Sequence, residues 1–130
     1  MSDHTLPRQE RLRSLKAIRR LFGEGHSGFA YPVRYVYLLE EGIIVPSGER
    51  AVQAMFSVPK KFHKRANRRN LHKRRMREAY RLGRDGICER LRQSGKHLQI
   101  AFIYSTKECH SYKTISNAVQ RILEQVSKAV

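Results

Sequence analysis

The stretch "FSVPKKFHKRANRRNLHKRRMREAYR", residues 56–81, changes character partway along. Its start completes "AVQAMFSVP" (51–59), where apolar and polar side chains alternate as in a half-buried strand. Beyond a lysine-rich connection the pattern predicts a helix from about Ala66 to about Leu82, with Gly83 and Gly86 as its weak points. Residues 60–81 contain eleven Lys or Arg and a single acid, Glu78, so +10 of the chain's net +16 is concentrated there. A solvated helix face usually interleaves Glu and Lys at i,i+4, which stabilises it. Here Arg65, Arg69, Lys73, Arg77 and Arg81 stack like charges at that spacing. Such an arrangement costs folding free energy unless a polyanion neutralises it.

At about 100° per residue, Arg69, Lys73, Arg77, Asn70, Arg81 and Arg74 share one arc of about 140°. Leu71, Leu82 and Ala79 fall on the other side and are expected to seat the helix on a sheet. Arg75 would pack its stem and send its head to water. Lys60, Lys61, Lys64, Arg65 and Arg68 carry the cationic surface around the helix N-terminus, where free N–H groups also favour phosphate. Asn70 adds an amide able to bond a base edge, a 2′-OH or a phosphate. The whole set reads as a nucleic-acid footprint. DNA readout by helix-turn-helix docking is disfavoured, because no second helix precedes the basic one by a short turn.

Outward from this segment, "RLRSLKAIRRLFGEG" places Leu15, Ile18, Leu21 and Phe22 at helical spacing, with Ser14 as N-cap and Gly23 or Gly25 as stop. In "GFAYPVRYVYLLE", Val33, Tyr35, Tyr37 and Leu39 alternate with Arg34, Val36 and Leu38, as in a strand, after a short irregular strand near 28–30. "EGIIVPSGER" reads as a hairpin connection, so the strand over 51–59 should pair with the one before it. "DGICERLRQSG" offers another helical piece, "HLQIAFIYS" a buried strand, and "SYKTISNAVQRILEQVSKAV" a last helix capped by Ser111. One α+β domain over residues 1–130 follows, a sheet covered by helices, with residues 1–10 loosely ordered.

The chemistry classes narrow as well. Cys88 and Cys109 form no disulfide framework, and no Cys-x-x-Cys or His-x-x-x-His pair signals zinc, so no protein-borne metal ligand is assigned. The eleven acids are scattered from Asp3 to Glu124. Hydrolysis of a phosphodiester by a protein needs clustered carboxylates or an oriented histidine pair. His63 and His72 have no carboxylate placed to orient them, so no catalytic side chain is assigned. No signal-peptide core or membrane-length apolar run is present, which points to a cytoplasmic protein.

"RNLHKRRMREAYR" (69–81), after "FSVPKKFHKRA" (56–66), resembles the signature of the bacterial ribonuclease P protein subunit. Ser57, Val58, Lys60 and Lys61 match its lead-in; Arg69, Asn70, Lys73, Arg74, Arg77 and Glu78 match its helix. Leu71 stands where the family has a second arginine, and Ile18 where it usually has an aromatic. The resemblance implies an αβββαβα sandwich with a mostly antiparallel sheet and a left-handed βαβ crossover. It implies an RNA-binding subunit of an endoribonuclease whose partner RNA performs the Mg2+-dependent hydrolysis that frees the 5′ leader from precursor tRNA. The basic helix would hold the catalytic RNA. Phe22, Ile18, Tyr35 and Tyr37 would line a leader-binding cleft between the first helix and the sheet.

Overall fold

The computed structural model describes residues 11–41 and 52–130. The helices are α1 (Leu15–Glu24), α2 (Ala66–Gly83), α3 (Asp85–Ser94) and α4 (Tyr112–Ala129); the strands are β1 (His26–Ala30), β2 (Val33–Glu41), β3 (Val52–Ser57) and β4 (Lys96–Tyr104). The expected hairpin connection over 41–50 and the expected looseness of 1–10 lie almost wholly outside the described residues.

The caps fall where the sequence puts them. Ser14 Oγ accepts from the Ala17 amide and Ser111 Oγ from the Thr114 amide, each satisfying an otherwise orphaned N–H of a helix start. Gly95, at φ 69°, ends α3 in the left-handed region that favours glycine.

The sheet order is β1-β2-β4-β3, with β1–β2 and β2–β4 antiparallel and β3–β4 parallel. The expectation that β3 pairs with β2 is therefore wrong. β4 is the most deeply buried strand, covered along nearly its whole length, as its central position between β2 and β3 requires. Adjacent parallel strands need a crossover, and the basic helix α2 with α3 supplies it. The helical reading of 85–95 holds, giving four helices rather than the three of the family order.

Strand alternation divides the core in two. Tyr35, Val33, Val52, Ala54, Leu98, Ile100, Phe102 and Tyr104 face α2 and α4 in the main core, where Met76, Tyr80, Ile115, Val119 and Ile122 meet them. Val36 and Ala101 face the other way and meet Leu12 and Leu21, with Ile18, Met55 and Ile103 at the margin. Arg20 of α1 reaches Glu40 of β2 at 2.5 Å, fastening α1 across this second face.

Candidate nucleic-acid interface

The α2 helix is seated differently from the sequence expectation. Its buried residues are His72, Met76, Ala79 and Tyr80. Leu71 is only partly buried and Leu82 is 59% exposed. The seating arc is thus centred about 100° from the two leucines. The larger surfaces of Met76 and Tyr80 decide the matter: Tyr80 packs edge-on against Phe56 and tilted against Phe102. Ala79 is common to both arcs, and its carbonyl accepts from Gln120 of α4.

This rotation sorts the cations. Arg69 donates from Nη1 to the carbonyls of His63 and Lys64, bracing the turn that leads into the helix. Arg81 forms a two-point pair with Glu78, closest approach 2.6 Å, and Arg75 donates to the His110 carbonyl. Arg68 reaches the sulfur of Cys109. Arg77 is partly buried, and that burial, with Arg11 nearby, moves its pKa down from the usual arginine value. By contrast Lys60, Lys64, Arg65, Asn70 and Arg74 are exposed and make no side-chain hydrogen bond or ion pair among the described residues. Lys73 is half-buried and likewise without such a bond. The face offered to a polyanion is therefore the lead-in turn together with the outer side of α2.

The leader-cleft set is not brought together. Ile18 is half-buried in the small core under α1, and Phe22 on the same helix is 46% exposed. Tyr35 and Tyr37 point to the opposite side of the sheet. Tyr35 is buried, stacks on Tyr37 at 6.2 Å and donates from its hydroxyl to Gln125 Oε1 of α4 at 2.7 Å. Gly28 makes this possible: a Cβ there would lie 2.3 Å from the Tyr35 hydroxyl oxygen. Tyr35 is a core residue on the α4 side and Tyr37 packs half-buried against the same core, and strand register excludes both from a cleft beside α1.

On the α1 side another aromatic site is present. Phe29, Arg34, Pro59, Lys61, Phe62, Ile103 and Ser105 line one groove. Phe29 pairs in register with Arg34, and Arg34 with Ile103, which places all three on the face of Val36 and Ala101. Phe29 is 52% exposed, and the Arg34 guanidinium carbon lies 5.9 Å from its ring centre. Lys61 Nζ lies 4.9 Å from the centre of the Phe62 ring. Two aromatic faces, each with its own cation, suit a single-stranded nucleic acid. A signal for this groove was in the sequence: Arg34 occupies the open phase of an otherwise apolar strand, and Phe29 has the same phase in β1.

Comparison with known proteins agrees with this architecture. The Ribonuclease P family model matches residues 6–127. The ribonuclease P protein component of Porphyromonas gingivalis strain ATCC 33277 is 35% identical over 124 residues, covering 94% of this chain and 86% of that protein. Its counterpart from Chlorobium phaeobacteroides is 33% identical over 132 residues, covering 95% and 88%. Among solved structures, the RNase P protein from Thermotoga maritima superposes with a TM-score of 0.68 at 24% identity, over 89% of this chain and 96% of that one. The Staphylococcus aureus RNase P protein gives 0.66 at 20% identity, over 90% and 94%. Those two structures speak to the fold, and the family model and sequence relatives to the lineage: the chain belongs to the ribonuclease P protein family.

Proposed function

We propose that this chain is the RNA-binding subunit of a cytoplasmic ribonuclease P holoenzyme, an endoribonuclease that removes the 5′ leader from precursor tRNA. The exposed cations of the lead-in turn and α2 hold the catalytic RNA, and that concentration of unpaired charge is the observation that carries the reading. The single-stranded leader runs along the α1 face, over Phe29 and Phe62 and past Phe22. Hydrolysis, with Mg2+ bound mainly by RNA, belongs to the partner, since the acids of this chain are scattered. Holding the leader and the catalytic RNA together favours metal binding in the assembled particle, and Arg34, Lys61 and the α2 cations screen the repulsion between the phosphates, so that assembly needs less Mg2+.

Reconstitution with a bacterial ribonuclease P catalytic RNA tests the proposal. The protein should accelerate leader release from precursor tRNA and lower the Mg2+ required, and it should be inactive without the RNA. No acceleration, or cleavage by the protein alone, would overturn it.

Within the interface Asn70 is exposed, uncharged and surrounded by cations. Asn70→Ala is expected to weaken binding of the catalytic RNA by about 1 kcal/mol, one hydrogen bond's worth, without altering its salt dependence. A fluorescence titration at several salt concentrations separates this from a loss of charge.

A further inference from the structure

Beneath the cationic face, three segments converge on a group that RNA binding does not use. His63 comes from the lead-in turn, His72 from the inward side of α2, and Cys109 from the connection between β4 and α4. One ligand atom from each lies within 4.8 Å of the others. We infer that His63, His72 and Cys109 form a three-ligand site for a thiophilic divalent ion of the Zn2+ class, with a fourth position left to water.

The strongest argument is His72. It is fully buried, yet neither ring nitrogen has a hydrogen-bond partner. A buried polar group left in that state costs free energy, and a bound ion would relieve it. Its ring is held against Tyr104, with centres 4.2 Å apart and planes 8° from parallel, and lies 4.7 Å from the His63 ring. Burial first, then His63, Arg75, Arg68 and His110, lower the His72 pKa to about 4, so the ring is neutral near pH 7 and its lone pair is available.

His63 is already oriented. Its Nε2 lies 2.8 Å from the Thr106 carbonyl, which can only accept, so Nε2 carries a proton and Nδ1 is the nitrogen left for an ion. A histidine that donates one N–H to a backbone carbonyl while its other nitrogen faces a metal is the usual outer-shell arrangement. Cys109 is exposed on a connecting segment, held near α2 by Arg68. Tetrahedral Zn2+ places its ligand atoms about 3.3–3.6 Å apart, so the group must contract by roughly 1 Å. Cys109, the exposed member of the three, is the ligand whose side chain can turn inward to supply that movement. On binding, the Cys109 thiol gives its proton to solvent and the thiolate offsets part of the ion's charge. Two imidazoles and a thiolate without a carboxylate select Zn2+ or Co2+ over Mg2+ or Ca2+.

The test uses the full chain without RNA or an affinity tag, stripped of metal and kept reduced. Titration with Co2+ should give a thiolate-to-metal charge-transfer band saturating at one ion per chain, and Zn2+ should displace it. Zn2+ at a hundredfold excess over its dissociation constant should raise the thermal midpoint by on the order of 10 °C. Cys109→Ser, at an exposed site that leaves the core intact, should abolish the band and most of the shift. His72→Leu should fold at least as well without metal, because it removes the unpaired polar group, and should also lose the shift. Cys88→Ala, altering the other thiol, should keep both. Absence of the band in the unaltered protein, or equal Zn2+ stabilisation of it and Cys109→Ser, would overturn the site and leave His72 as a stacking partner of Tyr104.

Discussion

Raising monovalent salt from 50 to 200 mM should weaken binding of the catalytic RNA by roughly several hundredfold to a thousandfold. The expectation assumes about six phosphate contacts, which give a dependence near the fourth to fifth power of salt concentration. Lys60, Lys64, Arg65, Lys73 and Arg74 have no competing side-chain hydrogen bond or ion pair among the described residues, and Lys61 and Arg77 complete the surface around them. Arg74→Ala should therefore lower the slope by a little under one. Arg81 is paired with Glu78, so its replacement removes a neutralising charge beside that carboxylate, and affinity falls through added repulsion as well as lost attraction. Arg69→Ala should act differently. It releases the carbonyls of His63 and Lys64, so the lead-in turn loosens and the unbound protein itself loses stability. A filter-binding or fluorescence titration across salt, with thermal melts of each free variant, separates the groups. A salt-independent affinity would sink the electrostatic account, and an Arg69→Ala variant as stable as the parent would refute its bracing role.

The difference between Arg69 and Arg74 marks where the sequence stopped being legible. Charge concentration and i,i+4 stacking identified α2 and its polyanion-facing character, because both depend only on local spacing. The rotation of α2 about its axis was not local. Leu71 and Leu82 are the most hydrophobic residues on the helix, but the sheet beneath presents Phe56, Phe102 and Tyr104, and these fit Tyr80 and His72. Strand order failed for a similar reason. The apolar run of β4 showed a buried strand, but only the parallel crossover through α2 and α3 sets it between β2 and β3. In β2 the alternation was read correctly; which phase met α1 was not. That assignment depends on α4, whose Gln125 receives the Tyr35 hydroxyl. The histidine–cysteine group was invisible for the same cause, since residues 63, 72 and 109 meet only through tertiary packing.

Reassigning the two faces of the sheet changes which aromatic residues should bind the leader. Replacing Phe29 and Phe62 together by alanine is expected to weaken holoenzyme binding of leader-bearing precursor tRNA by about 1–3 kcal/mol for each base that loses its stacking partner. That amounts to roughly 5- to 150-fold per base. Mature tRNA, which has no leader, should bind as before. Phe29 is half exposed, so its truncation removes little packing, and the neighbouring Arg34 remains to neutralise phosphate. Tyr35→Phe supplies the contrast. It deletes the hydroxyl that reaches Gln125 and should cost about 1 kcal/mol of folding stability, because a part-buried hydrogen bond is lost. Leader binding should not change, since that hydroxyl lies beneath α4 on the far side of the sheet. Phe22→Ala tests whether the leader path continues along α1, where Phe22 is exposed while Ile18 and Leu21 hold the helix down. Circular dichroism of each variant establishes that the fold survives. Equal losses for precursor and mature tRNA in the Phe29/Phe62 double variant would remove the groove from the leader path, and a leader-specific loss in Tyr35→Phe would return that path to the α4 side.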